Sequence, residues 1–390
     1  MIKTCLHAVV LLLLFAVVAA TLLPRHDTAV MRQKVAPPRA FLGEADQLAT
    51  AAACVDCHQE VCDSHGKSPH ALTLSRTNSE NAAIAFDGKS WSPEGTDITL
   101  SWQLRNGLLE VRHSDRERTW LTEWIFGSGR HARTPLITWA DQSGCTVSLE
   151  HCASAYAGGV LGPTLEMEQL PASDGMAALG SFRSHEQTVN CFGCHSGSVP
   201  VRNGRIQFDK VVAGVQCSRC HDRALQHAER MQQGLPLQMT SLSGITPEES
   251  INRCGECHRR PDELGGQLRP DDPILPRFAP VGLSQSACFQ QQSTVLDAAG
   301  NKVRFDCISC HDPHAETDPD WRFHMQVCRQ CHNPEQPEHT LCSATATEDN
   351  CIRCHMPSVP AGAHLNFTNH WIRIPEEFPD AAALKSVLSQ

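Results

Sequence analysis

A chain of 390 residues is long enough for two or three ordinary domains and a large core, yet only 5% of it is Phe, Trp or Tyr, while Cys reaches 20 and His 21. The formal charge of −10 argues against a nucleic-acid partner and favours a basic or small one. No phosphate-cradling glycine loop and no serine-centred elbow occurs, so nucleotide-dependent and hydrolase chemistry have no support.

Residues 1–23 begin with Lys3 and continue as an apolar block from Leu6 to Leu23 broken only by His7 and Thr21. This predicts export, through a signal peptide cleaved near Val18-Ala19-Ala20 or through an N-terminal anchor that stays in the membrane. Cys5 precedes the apolar block, where a lipoprotein cysteine would not lie. Residues 24–45, with Pro24, Pro37 and Pro38 and no periodic pattern, read as a linker.

The first chemical motif follows at Cys54-Val-Asp-Cys57-His58, in Ala-rich sequence suited to a short helix. The same CxxCH pattern returns at Cys191/Cys194/His195, Cys217/Cys220/His221, Cys254/Cys257/His258, Cys307/Cys310/His311, Cys328/Cys331/His332 and Cys351/Cys354/His355. Composition alone gives about 0.06 such matches against the seven present, so chance is excluded. Two thiols at this spacing add across the vinyl groups of a haem, and the next imidazole reaches the iron from one face. Paired CxxC motifs also build zinc sites, but zinc does not require the histidine that follows every pair here. The expected cofactor is therefore haem c, seven groups, covalently attached. Porphyrins would supply the planar apolar bulk that the aromatic content lacks.

Between the first and second motifs the texture changes. Ile98–Leu104, Leu108–Arg112 and Thr119–Phe126 alternate apolar and polar residues, with Asn106-Gly107 between the first two, which predicts a β-hairpin and a third strand. Trp91, Trp102, Trp120, Trp124 and Trp139 fall in this segment and predict a core of its own. Cys145 and Cys152 stand outside any motif, seven residues apart, and a local disulfide is expected in an oxidising compartment. Further on, Pro270, Pro273, Pro276 and Pro280 predict a rigid non-helical crossing.

Seven haems offer fourteen axial positions, and seven go to the motif histidines. His65, His70, His113, His131, His151, His185, His227, His314, His324, His339, His364 and His370 are numerous enough to fill the rest. Met325 and Met356 lie near motifs but read as packing. Ligation by two histidines leaves electron transfer as the chemistry, whereas an open distal face allows reaction with a small molecule.

With these residues in view, the chain resembles the multihaem cytochromes c related to hydroxylamine oxidoreductase and the pentahaem nitrite reductases, and among these the periplasmic cytochromes that sometimes carry tetratricopeptide repeats. The matching pieces run from about residue 50 to 375: Cys54 to Ala71, Phe126-Gly-Ser-Gly-Arg-His-Ala-Arg-Thr134, Cys191 to Gly197, Gly214 to His221 with His227, Cys307 to His314, and Cys354-His-Met-Pro357 leading to His370. The resemblance implies stacked haems in a mostly helical scaffold. It also implies His70, His131, His227, His314, His364 and His370 as distal ligands or pocket residues, with His185 a weaker candidate. His131, Arg130 and Arg133 have a second reading beside propionates, since Gly127-Ser-Gly129 makes a flexible turn. Two departures bear on activity: no CxxCK motif is present, and Tyr156, the single tyrosine, lies far from any CxxCH. The lysine-ligated and tyrosine-crosslinked catalytic haems of those relatives are therefore not expected. Cys288 and Cys342 are either structural or paired with each other.

The expected architecture is mainly α, with extensive loops around stacked haems and a small antiparallel β insert near residues 83–168. The organisation expected is 46–185 for the first haem site with the β-rich insert, 186–375 for a six-haem cytochrome domain, and 376–390 for a tail. The function expected is electron transfer in the periplasm or elsewhere outside the cytoplasm, with redox proteins as partners, membrane-bound quinol-oxidising or terminal reductase systems among them. The alternative is an oxidoreductase acting on a small nitrogen or sulfur compound at one open haem, with Arg259 and Arg260, or Arg130 and Arg133, to hold an anion.

Overall fold

The structure, a computed structural model, describes residues 48–78, 83–167, 175–264, 268–292, 302–332, 350–362 and 364–375. The expectations for residues 1–45, His339, Cys342 and the tail 376–390 lie outside these. No helix among the described residues is long and apolar enough to cross a membrane. The chain divides into two units, one of residues 37–261 and 267–390, and a second of Met1–Ala36 with Asp262–Gly266, of which only residues 262–264 are described. Every element below belongs to the first unit.

The tryptophan-rich stretch folds as its alternation dictates. Strands β1 (Leu74–Arg76), β2 (Ser90–Trp91), β3 (Leu100–Arg105), β4 (Leu108–His113), β5 (Thr119–Thr122) and β6 (Trp124–Phe126) come first. They are followed by β7 (Ala132–Ala140), β8 (Thr146–His151), β9 (Ala153–Tyr156), β10 (Leu161–Pro163) and β11 (Gly180–Arg183). Strands β3 and β4 form the expected hairpin, with Arg105 paired to Leu108 and a two-residue turn at Asn106 (φ 52°) and Gly107 (φ 76°). Positive φ at both positions is the type I′ geometry that matches strand twist, which is why Asn-Gly marks it.

The third predicted strand breaks at Glu123 and serves two sheets. Its first half, β5, closes the four-stranded sheet β2-β3-β4-β5, and its second half, β6, lies between β1 and β7 in a seven-stranded sheet that runs on to β8 and β11. Trp102 and Trp120 bury in one core with Phe86, Leu100, Leu109, Val111, Ile125, Leu149 and Leu179, while Trp91 and Trp139 pack at its edge. Each buried indole removes roughly 150–250 Å² from water, worth about 4–6 kcal/mol before the entropy of ordering is counted.

Trp124 points the other way, into a second cluster with Leu74, Leu136, Phe192, Val199 and Ile206. Its indole meets Phe192 edge-on at 5.2 Å, and Phe192 lies inside the second CxxCH motif. The sheet therefore anchors that motif through shared apolar packing.

The helices are α1 (Ala51–His65), α2 (His185–His195), α3 (Ala224–Gln232), α4 (Pro247–His258), α5 (Ala279–Ser284), α6 (Ala287–Gln291), α7 (Trp321–Arg329) and α8 (Cys351–His355). Short two-stranded ribbons pair β12 (Ser196–Ser198) with β15 (Val212–Ala213), β13 (Val201–Arg202) with β14 (Arg205–Ile206), and β16 (Ser358–Gly362) with β17 (Leu365–Thr368).

Three expectations are corrected. The fold is not mainly α with a small insert: seventeen strands in five sheets occur among the described residues, and the β-rich stretch extends past 83–168 at both ends, from Leu74 to Arg183. A CxxCH motif needs only one helical turn, so seven motifs do not imply long helices, whereas period-two alternation requires extended chain. The Cys145–Cys152 disulfide does not form, and both thiols are free. The extended strand β8 lies between them. Seven residues of strand span about 23 Å, beyond the roughly 7 Å that a disulfide tolerates between Cα atoms. Burial pushes the Cys152 thiol up to about 12. Finally, the proline crossing is partly helical: Pro276 lies in a 3-10 turn at Leu275–Arg277 and Pro280 in the first turn of α5. A first-turn proline loses no hydrogen bond, because that N–H has no partner within the helix.

Candidate functional site

Each CxxCH sits where a helical turn ends. Motif two closes α2 and motif four closes α4, both helices being started by capping boxes, Ser184 with Gln187 and Thr246 with Glu249. Motif one lies within α1, whose backbone leaves helical geometry at His58 (φ −125°, ψ 43°), and motif seven is α8 itself. Motifs three and five form single turns and motif six runs off the end of α7; in all three the histidine N–H donates to the first cysteine's carbonyl, His221 to Cys217 at 2.9 Å, His311 to Cys307 at 3.0 Å and His332 to Cys328 at 2.8 Å. The local chain thus brings two thiols and an imidazole to one side, as attachment requires.

Backbone carbonyls then orient the imidazoles. Nδ1 of His195 is 3.0 Å from Thr73 O, that of His221 3.2 Å from Thr240 O, and that of His355 2.7 Å from Arg373 O. A carbonyl can only accept, so Nδ1 carries the proton and Nε2 keeps its lone pair for a metal. Burial, reinforced by neighbouring imidazoles, pushes His258 and His311 down to about 4, and burial lowers His195 and His221. These rings are neutral at neutral pH.

A second imidazole faces four of the motif histidines. Ring centroids lie 6.5 Å apart for His58 and His227, 6.2 Å for His258 and His70, 5.9 Å for His221 and His314, and 6.2 Å for His311 and His370. Two metal–nitrogen bonds of about 2 Å plus two ring half-widths come to about 6 Å, the span of a metal held between imidazoles. The second rings are held in the same way: Nδ1 of His70 is 3.1 Å from Pro313 O, that of His227 2.5 Å from Leu237 O and that of His370 2.9 Å from Thr368 O. Nδ1 of His314 is held by Asp312 at 3.0 Å. These donors fit haem c. Zinc fits worse, because among the described residues no three His, Cys, Asp or Glu side chains converge as a metal cluster.

His131 and His364 are placed elsewhere. The His131 ring is 5.2 Å from Phe367 and that of His364 5.0 Å from Tyr156, neither opposite a motif histidine. His324, not singled out by the resemblance, lies 5.9 Å from His311, but its Nε2 bonds Asp318 O at 2.9 Å, which leaves His370 as the better-presented partner. His185 is anchored through Nδ1 to Thr146 O at 2.9 Å and faces no motif ring. The ring nearest to His195 is the phenyl of Phe126, at 5.0 Å.

Cysteines of different motifs also meet. The thiols of Cys54 and Cys217, of Cys194 and Cys257, and of Cys254 and Cys307 lie close enough to influence each other's ionisation. Cys310 with Cys328, and Cys328 with Cys351, lie within electrostatic reach. Arg219, buried and lying between Cys217 and Cys220 in the sequence, reaches the Cys257 sulfur at 3.7 Å and, after the neighbouring Cys194 thiol, helps hold the Cys257 thiol below its ordinary range. Nothing in the sequence marked Arg219.

The family described as cytochrome c554 and c-prime matches residues 164–222, a span that holds the second and third motifs complete. Over that span the chain is similar to this cytochrome family. Among solved structures, the multihaem cytochrome described as outer cell wall cytochrome OcwA is similar at 15% identity and a TM-score of 0.49, covering 83% of this chain and 79% of that one. No curated protein matches this chain's sequence.

Proposed function

We propose that this cytochrome is a heptahaem electron carrier of the periplasm or another extracytoplasmic compartment. The observation that carries the reading is the set of four imidazole pairs, each with one CxxCH histidine, at a spacing that would let the two rings hold a metal between them. The chain's own residues orient these rings through backbone carbonyls, fix their tautomer and keep them neutral by burial. Bound haem would supply the one-electron chemistry, and contacts between cysteines of different motifs support haems close enough to exchange electrons. The charge of −10 favours basic redox proteins as donor or acceptor, membrane quinol-oxidising or terminal reductase systems among them. The test is intact mass with a pyridine haemochrome assay on exported protein, where seven haems per chain are expected and a markedly lower number rejects the reading.

One observation favours a second reading, a small-molecule oxidoreductase: the ring beside His195 is Phe126, which cannot ligate iron. Low-temperature electron paramagnetic resonance separates the two, with purely low-spin haems expected for the carrier and a high-spin ferric signal for an open site.

A further inference from the structure

We propose that a cavity of about 390 Å³ in the β-rich region is a binding site for a small inorganic oxyanion. Its wall carries Lys89, Gly129, Arg133, Tyr156, Gly158 and Gly159. None of these belongs to a CxxCH motif or to the imidazole pairs above.

Two cations face this space, each held by a neutral partner. Lys89 Nζ donates to Gly159 O at 3.0 Å, and Arg133 Nη2 donates to Ser128 O at 2.9 Å. No carboxylate of the described residues pairs with either. The second cavity on this sheet is different, since Arg183 meets Glu150 and Arg277 meets Glu166 there and the charges cancel. A cavity whose wall carries two cations without a carboxylate partner attracts an anion, and a guanidinium presents paired donors matched to an oxyanion.

The glycines make the arrangement sterically accessible. Gly129 has φ +90°, and a Cβ there would fall 2.5 Å from Arg133 Cζ, so only glycine lets the guanidinium lie over the turn. Gly158 (φ +78°) and Gly159 (φ +79°) form consecutive left-handed backbone on the facing loop. A Cβ on Gly159 would come within 3.4 Å of Lys89 Nζ, and around Gly158 there is open space. The ligand class is a small oxyanion of the sulfate, phosphate or nitrate kind; the rival source of the same chemistry is a haem propionate of this chain.

The test is calorimetric titration of the haem-loaded full chain with sodium sulfate, against chloride at matched ionic strength. Saturable sulfate binding is expected, weakened at least about tenfold by Lys89→Gln or Arg133→Gln and largely retained by Lys89→Arg. Haem content and the visible spectrum should stay unchanged. No saturable binding by the unaltered chain, or equal binding by the glutamine variants, overturns the site. If Arg133→Gln shifts a haem potential while the unaltered chain takes up no sulfate, the cations serve a propionate and the free-anion proposal falls. Should the variants fold poorly, the unaltered chain decides alone: sulfate should slow acylation of Lys89 as read by mass spectrometry, and equal rates in sulfate and chloride refute it.

Discussion

His70 and His258 face each other edge-on, with ring centroids 6.2 Å apart at an interplanar angle of 72°, although they come from distant parts of the chain. His258 ends a capped helix, and His70 lies in a turn after α1 with its Nδ1 held by Pro313 O at 3.1 Å. Three separated segments therefore build one pair of facing imidazoles.

On the proposed function, replacing His70 with Ala would remove one axial donor and leave the attachment cysteines intact. The haem at Cys254 and Cys257 is expected to change from low-spin to high-spin, which resonance Raman or paramagnetic resonance detects, while total haem per chain stays constant. An unchanged spectrum would take His70 off the ligand set.

His314 lies almost parallel to His221, at 5.9 Å and 7°, and its Nδ1 is held by the Asp312 carboxylate at 3.0 Å. A carboxylate on the far nitrogen increases the electron donation of the ring and stabilises the oxidised iron. Asp312→Asn is expected to raise one midpoint potential by roughly tens of millivolts without change of spin state. Spectroelectrochemical titration measures it.

His151 is completely buried in the β core beside Trp102, with neither ring nitrogen hydrogen-bonded, and burial pushes it down to about 3 from an ordinary 6.5. The unfolded chain therefore binds a proton below pH 6.5 that the folded chain refuses until about pH 3. Stability from this group is full above 6.5 and falls as pH drops, at roughly 1.4 kcal/mol per unit, levelling off near 3. Urea midpoints across this range, compared with those of His151→Leu, should show a shallower acid slope in the variant.

Gly214 has φ +74°, and a Cβ there would meet Ala71 O at 2.0 Å, next to the bond from Val215 N–H to His70 O. Gly214→Ala is expected to destabilise by about 2 kcal/mol or more and to loosen His70. Thermal unfolding gives the first effect and the spin state of the His258 haem gives the second.

Alkylation before reduction should modify Cys145, half-exposed near Gly204, and spare Cys152 until the chain is unfolded. Equal protection of both in the folded, unreduced protein would restore the disulfide.

The sequence by itself determined the parts whose chemistry is local. Haem attachment needs five consecutive residues and one helical turn, so all seven motifs are legible at Cys54 to His58 and onward. The β3–β4 hairpin is legible for the same reason, because Asn106-Gly107 and the alternating runs specify it without distant contacts. The break at Glu123, where one strand run serves two sheets, is not legible, because it depends on what packs on each face. The partners of the motif histidines were decided only by tertiary structure. His70, His131, His227, His314, His364 and His370 stood as equal candidates, and long-range packing put four of them opposite a motif ring and set His131 and His364 against Phe367 and Tyr156. An imidazole carries no local mark of the iron it faces: that depends on carbonyls such as Pro313 O and Leu237 O, which only the folded chain brings to its Nδ1.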